Sequence, residues 1–273
     1  MLCKKNIMIE LNQVYCGDCL EIMKDISDGS IDMVCADPPY GTTACKWDSI
    51  IPLEPMWVQL KRVIKPNGAI VLTASQPFTT TLISSNMGMF KYCWYWDKLR
   101  GSNFATVKIR PFNSIEDVIV FYSKQATYNP QMWDSAPYKQ KQGYVGDAKQ
   151  TGLTKKDIVT ISDGKRYPLS IVRVSKESGL HPTQKPVALM EYLIKTYTNE
   201  GDTVLDFCAG SGTTGVACRL NKRNFILIEQ EEKYCEIARQ RIKNPDYKPP
   251  KPKTNQQPGL FPQDEIDKLT KIK

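Results

Sequence analysis

Short apolar runs suited to strands alternate along the chain with stretches whose apolar residues recur at helical spacing. Gln13 to Gly17 reads as a short strand, and Asp18 is placed to cap the helix that starts at Cys19 and runs toward Met23. The run Ile31-Asp32-Met33-Val34-Cys35-Ala36 predicts a buried strand that stops abruptly at Asp37-Pro38-Pro39-Tyr40, because proline cannot donate to a sheet ladder. Met56, Trp57, Leu60, Val63 and Ile64 give a helix over 55–64, closed by Lys65-Pro66-Asn67-Gly68, and 69–74 follows as a strand. A helix is expected over 78–90, then strands at 92–96 and 118–122. From 123 to 179 the periodicity fades, and glycine, proline, lysine and the aromatics Tyr128, Trp133, Tyr138, Tyr144 and Tyr167 interleave. Regular structure resumes with a helix from Pro186 to Tyr197, a strand at 203–207, a glycine-rich turn at 208–215 opening a helix to Leu220, a strand at 224–228 and a helix at 232–242. Alternation of this kind predicts an α/β fold with a doubly wound sheet.

Composition narrows the class. With 273 residues and 41% hydrophobic content the chain can bury a sizeable core. Its first residues lack the apolar stretch of a secretory signal and no segment is long enough to span a bilayer, so a cytoplasmic protein without a membrane partner is expected. Nine cysteines, scattered through apolar stretches, fit reduced buried thiols. Cys16 and Cys19 have the spacing of a metal half-site, but no second pair accompanies them and no metal is expected. The net charge of +8 is unevenly placed: residues 124–180 carry 10 basic against 5 acidic side chains and 243–273 carry 7 against 4, while the remainder is balanced. A neutral body with a basic middle and tail suggests a polyanionic partner or a pair of solvated lysine-rich loops. Six prolines in the tail favour an extended segment.

Two stretches carry chemistry. Asp37-Pro38-Pro39-Tyr40 presents a carboxylate, carbonyls and an aromatic ring at a strand's carboxyl end, the edge where open α/β sheets bind ligands. Gly210, Gly212 and Gly215 satisfy the dinucleotide glycine pattern, with Glu229 nineteen residues after Gly210 to accept hydrogen bonds from ribose hydroxyls. A nicotinamide dehydrogenase would fit the second stretch taken alone. Asp206, just before the loop, disfavours it, because a carboxylate there repels pyrophosphate but suits the ammonium of an aminoacyl group.

The order Asp37-Pro38-Pro39-Tyr40, a variable insertion, His181-Pro182-Thr183-Gln184-Lys185-Pro186, and Asp206-Phe207-Cys208-Ala209-Gly210-Ser211-Gly212-Thr213 resembles the amino-group DNA methyltransferases of the β arrangement. The resemblance covers roughly residues 10–123 and 181–242. It implies a seven-stranded Rossmann-like methyltransferase sheet, circularly permuted so that 203–207 and 224–228 supply the strands that usually open the fold. It implies S-adenosylmethionine as methyl donor and S-adenosylhomocysteine as product. Four parts follow: a catalytic part at 1–123, a target-recognition insertion at 124–180, a cofactor-binding part at 181–242 and a flexible basic tail at 243–273. Carried over by position, Asp206, Phe207, Cys208, Gly210, Gly212 and Thr213 surround the methionine part of the cofactor, Glu229 its ribose, and Asp18 and Cys19 its adenine edge. Thr183 and Lys185 close over its carboxylate, and Asp37 borders both cofactor and target. His181, the only histidine, is expected to order its loop rather than act as a base.

An exocyclic base amine is a poor nucleophile because its lone pair is delocalised into the ring. Hydrogen bonds to the Asp37 carboxylate and the Pro38 carbonyl would favour a pyramidal nitrogen, while Tyr40 would stack on a base extruded from double-stranded DNA. Methylation at a ring carbon of cytosine would call for a cysteine after a proline, and the sequence has no Pro-Cys pair. Aspartate at the first tetrad position leans toward adenine N6, with cytosine N4 as the alternative. An RNA or protein-amide methyltransferase and a non-catalytic DNA-binding module are the rival classes. Arg110, Lys139, Lys141, Lys155, Lys156, Lys165 and Arg166 are candidates for DNA contacts, chiefly to phosphates. A second copy of the chain is a further candidate partner, since relatives of this arrangement are often dimers. Gln257-Pro258-Gly259-Leu260-Phe261 resembles the pentapeptide that docks replication proteins on the sliding clamp.

Overall fold

The computed structural model describes residues 9–42, 48–102, 104, 107–143, 157–177 and 179–244. Thirteen elements build its body. They are β1 (Gln13–Cys16), α1 (Cys19–Ile22), β2 (Ile31–Ala36), α2 (Leu53–Val63), β3 (Ile64–Ala74), α3 (Phe78–Ser85), β4 (Phe90–Ser102) and β5 (Asn113–Phe121), then α4 (Val187–Tyr197), β11 (Thr203–Asp206), α5 (Thr213–Leu220), β12 (Asn224–Glu229) and α6 (Glu232–Lys243). Between β5 and α4 the chain adds five strands: β6 (Trp133–Asp134), β7 (Tyr138–Gly143), β8 (Asp157–Ser162), β9 (Lys165–Arg166) and β10 (Ile171–Arg173).

The main sheet has the order β1-β12-β11-β2-β3-β5-β4-β10, one strand more than expected. The eighth is β10, which pairs parallel to β4, with Ile171 opposite Tyr95. Only β5 is reversed, running antiparallel to both β3 and β4. The late strands β11 and β12 sit inside the sheet between β1 and β2, as a permuted chain requires.

Strands buried on both faces read as continuous apolar runs, and successive residues of β2 and β3 divide between two cores. Met33, Cys35, Ala69, Val71, Val118 and Val120 pack with α4, α5 and α6. Val34, Ala36, Ile70, Leu72, Ile119 and Phe121 pack with α1, α2 and α3. In α2 the buried residues Met56, Trp57, Leu60 and Val63 form one stripe, as their spacing predicts.

Two boundaries differ from the sequence reading. The helix expected over 78–90 ends at Ser85, because Phe90 joins β4 opposite Phe121 and their rings meet edge to face at 6.0 Å. Lys65-Pro66-Asn67-Gly68 does not break the chain; β3 runs from Ile64, and the four residues form an irregularity between the pairs Ile31–Ile64 and Met33–Ala69. Gly68 is required there, since a Cβ would lie 2.7 Å from the Asp32 carbonyl oxygen.

Residues 124–180 divide their allegiance. Asn129 donates to the Thr196 carbonyl at 2.7 Å and Ala126 is buried in the main core. Strands β6 and β9 pair with each other, as do β7 and β8, in two small antiparallel sheets separate from the main one. No helix among the described residues is long and apolar enough to cross a membrane.

Candidate active site

Parallel pairing of Val204 with Met33 and Leu205 with Val34 sets β11 beside β2, so Asp206 and Asp37 leave the sheet at neighbouring carboxyl ends. Both stretches line one cavity of 1120 Å³, together with Asp18, Cys19, Glu116, His181, Thr183, Lys185, Phe207, Cys208, Gly210, Thr213 and Glu229. That exceeds the roughly 300–1,000 Å³ of a site for one small ligand. Two ligands can meet there.

On the glycine-loop side the polar groups are satisfied close by. Buried Asp206 accepts from the Cys208 amide at 3.0 Å and from the Thr214 hydroxyl at 2.6 Å. Burial pushes its carboxyl up to about 7, although both hydrogen bonds oppose the shift. Glu229 accepts from the Gly210 amide at 2.8 Å and the Glu231 amide at 2.9 Å. Gly210 and Gly212 have φ of 51° and 76°, which side chains rarely adopt, and a Cβ on Gly212 would lie 2.7 Å from that of Ala238. Asp18 caps α1, accepting from the Leu20 amide at 2.7 Å and the Glu21 amide at 3.2 Å.

A buried arginine, which the sequence reading missed, fastens this loop to its neighbours. Arg241 donates to the Ser211 hydroxyl at 3.2 Å, the Thr213 hydroxyl at 2.8 Å and Glu177 at 3.4 Å. Thr213 in turn donates to the Lys185 carbonyl at 3.2 Å, and Glu177 accepts from the Val187 amide at 2.9 Å. His181 accepts from the Thr183 amide at 3.2 Å and sets its ring edge against Tyr234 at 4.3 Å. Burial lowers its basicity, which suits a residue that orders its loop.

The tetrad side is a network of buried charges. Lys185 places its ammonium 2.6 Å from Asp37 Oδ2 and 2.8 Å from Glu116 Oε1. Lys185 is 7% exposed, and the ionic partners it has here are these two carboxylates of the protein. Burial opposes its charge, but Asp37 and Glu116 outweigh burial and push it up to about 12. Tyr40 donates from its hydroxyl toward Asp37 Oδ1 at 2.7 Å and Glu116 Oε1 at 2.9 Å, while its ring stacks on Phe78 at 5.4 Å. Its contact is thus an aromatic of the protein, with the hydroxyl turned inward. Thr73 also donates to Asp37 Oδ1. On the far side of Glu116, buried Lys98 lies 3.7 Å from Oε2. Asp48 accepts from the Gly41 and Thr42 amides at 2.9 Å each and fixes the loop after the tetrad.

Glu116, Thr73, Lys98 and Asp48 were not anticipated. A signal existed for the first: Glu116 shares the β5 face of Val118 and Val120, where a charge is out of pattern.

Cys16 and Cys19 do not act as a pair. Cys19 hydrogen-bonds the Cys208 thiol, while Cys16, Glu232 and Cys235 bring their ligand atoms within 4.8 Å of one another. Of the basic candidates for DNA, Lys139 and Lys141 lie on β7, and Lys165 and Arg166 form β9. Lys165 pairs with Asp134, and Arg166 lies over the Tyr138 ring at 4.5 Å. Arg110 lies in the loop between β4 and β5, outside these hairpins. Lys155, Lys156 and the stretch Gln257 to Phe261 lie outside the described residues.

Comparison with known proteins gives consistent relatives. The sequence model of a family described as DNA methylase matches residues 31–240. The chain is 30% identical over 266 residues to the type II methyltransferase M2.DpnII of Streptococcus pneumoniae, covering 87% of this chain and 90% of that one. Against M2.MboI of Moraxella bovis the identity is 28% over 256 residues, covering 84% and 86%. Among solved structures, the complex of M1.HpyAVI with S-adenosylmethionine superposes with a TM-score of 0.58 at 28% identity, over 84% of this chain and 98% of that one.

Proposed function

The chain belongs to the DNA methylase family, and we propose that it transfers a methyl group from S-adenosylmethionine to the N6 amine of an adenine extruded from a specific sequence of duplex DNA. One observation carries this reading: the Asp37 carboxylate and the Asp206–Glu229 pair open into one cavity from adjacent parallel strands.

The residues present fit the cofactor by the chemistry of their groups. Asp206 suits an ammonium, Glu229 suits a ribose, and Gly210 lines the cavity without a side chain, while Gly212 lets the loop pack against Ala238. Asp18, Cys19, Phe207, Cys208, Thr183 and Thr213 complete that side. When bound, the cofactor supplies an electrophilic methyl group on a sulfonium.

The protein's own part is positioning. Asp37 and the Pro38 carbonyl accept hydrogen bonds from the exocyclic amine, which turns the nitrogen lone pair out of conjugation. Positioning and desolvation of the amine help the transfer, and the proton is lost from nitrogen afterwards. The hairpins of 124–180 serve as the target-recognition part, with Lys139, Lys141, Lys165 and Arg166 toward phosphates. We extend the same reading to a homodimer and to clamp docking through Gln257 to Phe261, each tested by sedimentation with and without the partner.

The deciding experiment is digestion of duplex DNA to nucleosides after incubation with the protein and methyl-labelled cofactor. N6-methyldeoxyadenosine is expected. Label only in N4-methyldeoxycytidine overturns the choice of adenine, and no label in any base overturns the function.

A further inference from the structure

Asp37 is more fully engaged than an acceptor awaiting a substrate should be. Its Oδ1 takes the hydroxyl of Thr73 and shares that of Tyr40 with Glu116 Oε1. Its Oδ2 carries one ionic contact, the Lys185 ammonium at 2.6 Å, so an amine that approaches this oxygen meets the lysine there. A neutral amine cannot compete with an ammonium for a carboxylate in a buried site unless the ammonium has another anion to go to. Glu116 is that anion, 2.8 Å from the same nitrogen.

Resting on the function proposed above, we infer that Glu116 is a positioning residue that draws Lys185 off Asp37 when the target amine enters. The lysine stands in for the substrate amine in the resting site. During turnover it transfers its hydrogen bond to Glu116 without losing an ionic partner. The placement of Glu116 serves this exchange. It lies on β5 opposite Trp96, receives Tyr40 from the loop after β2, and is backed by Lys98 from β4, with Asn113 3.3 Å from that lysine. Lys98 gives Glu116 a second cation while Lys185 is on Asp37, so two basic side chains face two acidic ones at each stage.

The test is single-turnover methyl transfer with saturating cofactor, with cofactor affinity measured by calorimetry on the same samples. Glu116→Gln should slow transfer about 10- to 100-fold, the range a misplaced reactive group costs, while cofactor affinity stays within about twofold. Adding Lys185→Met to Glu116→Gln should then recover rate by about fivefold or more, because the competing ammonium is gone; such non-additivity is expected only of coupled residues. A wild-type rate in Glu116→Gln overturns the inference, as does a Lys185→Met loss that merely adds to it. Where Glu116→Gln alone does not fold, Glu116→Gln with Lys98→Met removes equal and opposite charges and must show the same slowing and the same recovery. Wild-type protein run in parallel separates the two proposals: if it leaves DNA unmethylated the function fails, and if it methylates while Glu116→Gln matches it, only the role of Glu116 fails.

Discussion

The two rims of the cavity are built on opposite plans. On the glycine-loop rim, acids are satisfied by amides of the same connection: Asp206 by Cys208, Glu229 by Glu231 and by Gly210 nineteen residues away. On the tetrad rim, partners converge from the whole chain: Asp37 with Thr73 and Lys185, Tyr40 with Glu116. The first is a pocket fixed by backbone geometry before any ligand arrives. The second is a set of exchangeable ionic contacts, and exchange is what an entering amine needs. On the function proposed above, that difference assigns binding to one rim and chemistry to the other.

The sharpest way to break that division is Asp37→Ala. It should lower the rate of transfer by about three orders of magnitude or more, as loss of a group that orients the reacting atom does. Cofactor affinity, measured by calorimetry, should change by no more than a few-fold. A loss of cofactor binding equal to the loss of rate would show that the rims do not divide their work.

Lys185→Met tests the ionic plan through stability. Removing one partner of a buried charge cluster leaves Asp37 and Glu116 facing each other and should cost about 3–5 kcal/mol in chemical denaturation. Glu229→Gln on the other rim keeps one of its two amide contacts through its single side-chain oxygen and loses the other, and should cost about 1–3 kcal/mol, less than the lysine change.

The same contrast explains what could be read from sequence. Asp206, Gly210, Gly212 and Glu229 announce their rim because its geometry is local: positive φ demands glycine, and strand ends fix the acids. The alternation of apolar runs gave the sheet and both helical layers for a like reason, since the inner strands β2, β3, β11 and β12 bury both faces. Lys98 was silent, and the out-of-pattern charge of Glu116 marked a position but no partner, because only the antiparallel pairing of β4 with β5 brings the two to the cavity. Lys185 was found, but its contacts with Asp37 and Glu116 were not, because spacing within His181-Pro182-Thr183-Gln184-Lys185-Pro186 does not tell which way the side chain turns.

A third measurement bears on the glycine-loop rim alone. Burial holds the Asp206 proton up to about 7, above its usual 3.8, so the folded chain binds that proton more tightly than the unfolded one. Stability of the cofactor-free protein should therefore fall as pH rises from about 4 toward 7, and Asp206→Asn should flatten that part of the profile. A cationic ligand needs the ionised carboxyl. Cofactor affinity should rise with pH by up to about tenfold per unit below 7 and level off above it, a slope absent in Asp206→Asn.

The smallest effect is expected outside both rims. Lys139 is exposed on β7, opposite Ile161 of β8, in a sheet that shares no strand with the main one. If its hairpin lies along the phosphate backbone, Lys139→Ala should weaken DNA binding only a few-fold and evenly across sequences. It should lower the slope of log affinity against log salt by about 1, because one fewer counter-ion is released. Cofactor affinity and the rate at saturating DNA should stay unchanged, since no residue of this hairpin lines the cavity. A fall in that saturating rate would connect the hairpin to the tetrad rim and remove the separation between holding DNA and orienting its base.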